Sequence, residues 1–198
     1  MTLIASFKKG NFLVPTLLAL ASLIIAAAGD TLQVPLRYDR DAIASGEIWR
    51  LVSGHLTHLG WSHLFLNLAG LALVFLFFGS LLSIRQWLLI TLFSAILIGV
   101  SLYVFNPEVK WYVGISGVLH GLFIAGGIAD LASRKKEAIL FLSFITMKLA
   151  WEQSVGPMPG SESAAGGPVL VDAHLYGAIA GLIWMSAAHL LKKTQTHF

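Results

Sequence analysis

The sequence predicts an all-α membrane protein, a bundle of six transmembrane helices with both the N- and C-termini in the cytoplasm. Three observations carry that expectation. Of the 198 residues, 57% are hydrophobic and 12% charged, with a mean hydropathy of +0.79, whereas soluble domains are roughly 45–50% apolar and 25% charged. The apolar residues gather into six segments, at 12–28, 63–82, 87–105, 116–132, 138–151 and 174–191, each near the ~20 residues that cross a bilayer. The connections then alternate in charge. Lys8, Lys9, Arg85, Arg134, Lys135, Lys136, Lys192 and Lys193 fall in one set, and Asp30, Asp39, Asp41, Glu47, Glu108, Glu162 and Asp172 in the other. The basic set faces the cytoplasm by the positive-inside rule. A single domain over 1–198 accommodates the bundle, and the net charge of +3 matters less than where the charges sit. The absence of cysteine excludes disulfides, thiol nucleophiles and thiolate metal sites.

The first segment, with Lys8 and Lys9 before it and Ala26-Ala27-Ala28-Gly29 at its end, also fits a secretory signal with a small-residue cleavage site. Its apolar run is long for that and five further spans follow, so a retained helix is expected. The connection 29–62 is the longest, and Leu51, Val52, Leu56, Leu59 and Trp61 make it too apolar for a flexible linker. Short helices lying in the membrane interface are expected there. Spans two, four and six all start on the outer face, and each starts with polar residues: His63 and Asn67, then Ser116 within Gly114-Ile115-Ser116-Gly117, then His174 after Asp172-Ala173. The fifth span is short and interrupted by Lys148, one helical turn from Glu152; the two are expected to pair while the lysine snorkels outward. Between spans five and six, residues 156–168 are rich in glycine, proline and serine and read as a mobile outer flap.

Glycines bring two of those polar helix mouths together. Gly117 and Gly121 lie four residues apart on span four, as do Gly177 and Gly181 on span six, with Ala173 extending the second face. Small residues at that spacing let membrane helices approach closely, which would set Ser116 and His174 on one rim. Packing alone is the plainer explanation of the glycines. A serine hydroxyl becomes a good nucleophile when a base takes its proton, and histidine suits that exchange near neutral pH. The acyl intermediate needs donors aimed at its oxyanion. The first-turn N–H groups after Gly114 lack intrahelical partners, and His63 and Asn67, at i and i+4, can supply two more. An interhelical hydrogen bond that fixes the bundle is the alternative role for that pair.

With Trp49-Arg50, His63-Leu64-Phe65-Leu66-Asn67, Gly114-Ile115-Ser116-Gly117 and Ala173-His174-Leu175-Tyr176-Gly177 continuing to Gly181, the chain resembles the rhomboid intramembrane serine proteases along essentially its whole length. The resemblance implies a six-helix rhomboid-like bundle and a Ser116–His174 dyad with no aspartate. It implies an oxyanion hole of His63, Asn67 and the Ser116 backbone N–H, a structural role for Trp49-Arg50, and substrate entry by the fifth helix and the flap. Where many members carry tyrosine four residues after the serine, this chain has His120, which resembles the rhombosortase branch. That branch processes bacterial proteins with a C-terminal tail of a glycine-rich motif, a hydrophobic helix and basic residues. It would place the protein in a Gram-negative inner membrane, cutting on the periplasmic side, with transfer to an amine acceptor as an alternative to hydrolysis.

His120 has three readings: stacking on His174 in place of tyrosine, competing as the base, or bonding within the core. Asp172 reads as a loop acid or helix-dipole partner rather than a triad carboxylate, because adjacent helical positions point apart. A metal site from His55, His58 and His63 fits neither one helix face nor a familiar zinc spacing, so no metal or cofactor is expected. The expected partners are transmembrane protein substrates and the lipid bilayer, with no nucleic acid. Other single-span substrates, or a non-proteolytic membrane chaperone of the same fold, are the alternatives; inactive relatives lack the nucleophile or the base, and both are present here. A transporter would place charge near the midplane, where only Lys148 stands.

Overall fold

The computed structural model describes residues 11–195, with side chains through Leu190. Lys8 and Lys9, and the side chains of Lys192 and Lys193, lie outside what is described, and with them that part of the charge argument. Long helices follow the apolar segments: α1 (Leu13–Ala27), α5 (Trp61–Phe78), α6 (Ile84–Phe105), α7 (Ser116–Asp130), α8 (Lys135–Ser154) and α10 (Val171–Gln195). The remaining elements are short: α2 (Asp30–Leu36), β1 (Tyr38–Asp39), α3 (Arg40–Ala44), α4 (Arg50–Ser53), a 3-10 turn at Gly54–Leu56, β2 (Trp111–Tyr112) and α9 (Ser161–Ala165).

Length and hydropathy alone mark α5 and α6 as able to cross a bilayer, and α1 with α2, bent by 118°, as a third candidate. The other expected spans do not pass on length and composition, for a physical reason. Helix α7 is only 15 residues long, and α8 carries Lys148 and Glu152 within its length. Their surroundings satisfy them instead: eleven of the fifteen residues of α7 are buried and the rest half-buried, packed against α10, α6, α5 and α8. The outward faces are apolar, with Leu140 73%, Phe144 63% and Met147 69% exposed on α8 and Phe65 56% exposed on α5. An exposed apolar surface of this extent calls for a nonaqueous neighbour.

Close contact between α7 and α10 is written in four glycines. A Cβ on Gly177 would collide with the Gly117 carbonyl, and one on Gly181 with the Gly121 carbonyl. Reciprocally, a Cβ on Gly117 would lie 2.7 Å from the Ala173 carbonyl oxygen. Backbone thus meets backbone along two turns, as expected of small-residue faces. Helix α10 begins at Val171, a turn before the expected start, so His174 stands inside the helix rather than at its mouth. Helix α8 likewise runs on to Ser154, which carries Glu152 into the bundle.

The 29–62 connection folds as short helices, but its anchor is a pairing that hydropathy does not reveal. β1 and β2 run antiparallel with Tyr38 opposite Tyr112 and Asp39 opposite Trp111. Asp39 caps α3 by accepting from the Ala42 N–H. Arg40 then donates to the carbonyls of Leu102, Tyr103, Asn106 and Val109 at 2.7–3.0 Å, the first three at the C-terminal end of α6, where carbonyls run short of helical partners and a cation is favoured, and the fourth in the loop that follows. Arg50 is buried and donates to Glu47 at 2.6 Å and to the Val34 and Arg37 carbonyls, while Trp49 stays 54% exposed. The 156–168 segment holds α9 between the left-handed Gly160 and Gly166. Ser62 in the first turn of α5 and Leu59 just before that helix lie against it.

Candidate active site

Gly114 sets the geometry. Its φ of +112° and the His63 ring, whose Cε1 would lie 2.7 Å from an added Cβ, both require glycine: a side chain would be strained by the backbone and blocked by the ring. The turn delivers Ser116 as the first residue of α7, into a cleft of about 400 Å³ shared with His63, Leu59, residues 108–113 and residues 168–170. Tyr112 supports the turn from below, its hydroxyl donating to the Gly114 carbonyl at 2.7 Å. The same hydroxyl faces Ser116 and the Gly117 N–H, and burial raises its pKa, so it remains a neutral donor.

Two histidine tautomers follow from the contacts. His63 Nδ1 accepts the Leu59 N–H at 3.3 Å, which leaves Nε2 protonated and turned toward Gly114. Asn67 is buried, and its Nδ2 has no hydrogen-bond partner among the described residues. Two side-chain N–H groups that have no acceptor among the described residues can donate to an incoming oxygen.

His174 Nε2 lies 3.0 Å from Ser116 Oγ. Its Nδ1 lies 3.0 and 3.1 Å from the two carboxylate oxygens of Glu152, so Nδ1 carries the proton and Nε2 accepts from the serine. His120 stacks on His174 with ring centroids 4.3 Å apart at 19°, the first of its three expected placements. Its Nδ1 donates to the Ser116 carbonyl at 2.8 Å, and Nε2 accepts from Lys148 Nζ at 3.0 Å. Neither nitrogen faces the serine hydroxyl, which leaves His174 as the better placed base. Lys148 also pairs with Glu152 at 2.7 Å. The expected pairing is therefore present, but the outward snorkel is not: Glu152 on the same helix and His120 Nε2 on α7 both accept from the ammonium inside the bundle and draw it inward.

The other candidates separate. Asp172 accepts from Asn106 Nδ2 at 2.7 Å, and Tyr176 OH donates to Asn106 Oδ1 at 2.8 Å, so Asp172 faces α6 and not His174. His55 points at the Gly114 and Ala95 carbonyls, at 3.3 and 3.1 Å, away from His58, whose ring meets that of His63 edge-on. One ligand atom from each of His120, Glu152 and His174 lies within 4.8 Å of the others, a spacing that could hold a metal ion. Lys148 Nζ already occupies that cluster and supplies the compensating positive charge.

Burial also sets the acid limit of the fold. Desolvation lowers the His55 pKa from 6.5 to about 4, and desolvation followed by the neighbouring His63 lowers that of His58 to about 3. Both are neutral in the folded chain and protonate more readily when unfolded. Their stabilising effect is complete above pH 6.5 and is lost as pH falls toward 4 and 3, by up to about 1.4 kcal/mol per pH unit for each group. The thermal stability of detergent-solubilised protein should fall steadily as pH is lowered from 6.5 to 4.5. His58→Phe, which keeps a ring in place, should flatten that slope; an unaltered slope would rule out the assignment.

Sequence reasoning missed three features of the site: the support from Tyr112, the contacts of His55 with the Gly114 and Ala95 carbonyls, and the inward direction of the Lys148–Glu152 pair. Only the last left a signal, since a charged pair inside an apolar span is costly in lipid and points to function.

The Rhomboid domain family model matches residues 45–190, which contain every side chain just described around Ser116. A protein of Bacillus subtilis (strain 168) named "Putative rhomboid protease YdcA" is 35% identical over 81 residues, 41% of this chain and 41% of its own length. The chain thus aligns with less than half of that relative.

Proposed function

The chain belongs to the rhomboid family of integral membrane serine proteases, and from that membership we propose that it cleaves the backbone of single-span membrane proteins with Ser116 as nucleophile and His174 as base. The observation that carries the reading is the 3.0 Å contact of Ser116 Oγ with His174 Nε2 beneath a cleft lined by His63. The serine proton passes to Nε2 as Oγ bonds to the scissile carbonyl carbon. The displaced electron pair settles on the carbonyl oxygen, which accepts from His63 Nε2, Asn67 Nδ2 and the Ser116 N–H. Collapse breaks the C–N bond, and the leaving amine takes the proton from His174. Water activated by the same nitrogen then hydrolyses the ester.

The six long helices are six spans in this reading, with the cleft opening on the outer face and both termini cytoplasmic. Helices α7, α8 and α10 can span despite modest length or internal charge, because neighbours satisfy their polar groups. A substrate helix must unwind to expose its carbonyls, and glycine near the cut lowers that cost. His120 in the tyrosine position supports the finer proposal of a rhombosortase-like enzyme in a Gram-negative inner membrane, acting on periplasmic glycine-rich C-terminal sorting tails. Co-expression with a protein bearing such a tail, followed by mass analysis of the new C-terminus, tests both parts. A cut in the glycine-rich motif is expected, and an added amine mass would assign transfer in place of hydrolysis. Cleavage of other single-span reporters with the tail left intact would return the enzyme to general membrane proteolysis.

A further inference from the structure

We infer that Glu152 completes the Ser116–His174 pair as the positioning carboxylate of a triad, with Lys148 as its charge partner. The inference rests on the protease reading above. Glu152 is 3% exposed, and both of its oxygens lie within 3.1 Å of His174 Nδ1, on the far side of the imidazole from Ser116 Oγ. Serine, imidazole and carboxylate therefore stand in line, each contributed by a different helix: α7, α10 and α8.

The order of protons along the line is fixed by its ends. Lys148 has protons to give and no acceptor; it donates to Glu152 at 2.7 Å and to His120 Nε2 at 3.0 Å. Glu152 then has a lone pair free for the His174 Nδ1–H, which leaves Nε2 bare for the serine proton. During attack the proton moves from Oγ to Nε2, the Oγ–C bond forms, and the imidazolium gains a carboxylate at contact distance. Glu152 keeps its charge throughout and takes no proton. It also holds the ring against rotation from the Nδ1 edge, while His120 stacks on one of its faces.

A purely structural ion pair is the competing role, because Lys148 and Glu152 stand one turn apart on the same helix. Such a pair needs no histidine. It also would not place the acid deeper than the base, whereas the Glu152 side chain is 2% exposed and that of Lys148 23%.

The experiment measures phosphonylation of Ser116 by a fluorophosphonate on the purified full chain, in which the Oγ–P bond forms and fluoride leaves. Saturation kinetics separate probe binding from the chemical step. Glu152→Gln is expected to slow the chemical step by about 10²–10⁴-fold with probe binding within about twofold, and Glu152→Asp to recover at least tenfold of that loss. Lys148→Met combined with Glu152→Gln removes both charges together, which relieves an unpaired ammonium but supplies no carboxylate; it is expected to stay as slow as Glu152→Gln. A rate near wild type in Glu152→Gln, or its recovery in the double variant, would overturn the triad and leave the protease reading standing. Equal labelling of Ser116→Ala would remove both.

Discussion

Ser116→Ala should lower cleavage of a single-span substrate by about 10⁴-fold or more, and His174→Ala should do nearly the same. The two side chains share one proton across 3.0 Å, so losing either removes the activated alkoxide, and the double variant should be no slower than the singles. His120→Ala should be much milder, because its nitrogens face the Ser116 carbonyl and Lys148 rather than the hydroxyl. What it loses is the ring stacked on His174 and one acceptor for Lys148. Full activity in His174→Ala with loss in His120→Ala would transfer the role of base to His120.

Asn67→Ala should reduce kcat by about 10²–10³-fold with little change in KM. Its Nδ2 has no acceptor among the described residues, although the residue is 4% exposed, a placement that is unfavourable until an oxygen arrives. That donor strengthens as charge develops, so its effect belongs to the transition state. A raised KM with unchanged kcat would instead make Asn67 a substrate-binding group. Loss of folded protein would return it to the interhelical bond that the sequence left open.

The sequence disclosed what depends on side-chain type and spacing, and little of what depends on backbone meeting backbone across the chain. Gly117, Gly121, Gly177 and Gly181 announced the contact of α7 with α10, because only glycine permits that approach. The pairing of Ser116 with His174 followed from it. The Tyr38–Tyr112 ladder was not legible, since two residues per strand carry no period. Arg40 and Arg50 were equally silent about their targets, which are carbonyl groups remote in sequence.

Glu152 shows a different kind of failure. Its pairing with Lys148 was legible from their spacing, but the direction of the pair was not. Rotation of α8 about its axis decides whether it faces lipid or His174, and the apolar pattern that would set that rotation is interrupted by the charges themselves. The acidic residue nearest His174 in sequence, Asp172, turned out to serve Asn106. Distance along the chain was a poor guide to which carboxylate faces the imidazole.

The proposed proteolysis depends above all on Ser116 being a nucleophile made reactive by His174. Peptide-level mass spectrometry of the wild-type chain after fluorophosphonate treatment tests it most directly. One phosphonyl adduct per chain is expected, located on Ser116 and lost in His174→Ala. An adduct on another residue, or undiminished labelling of Ser116 in His174→Ala, would contradict it.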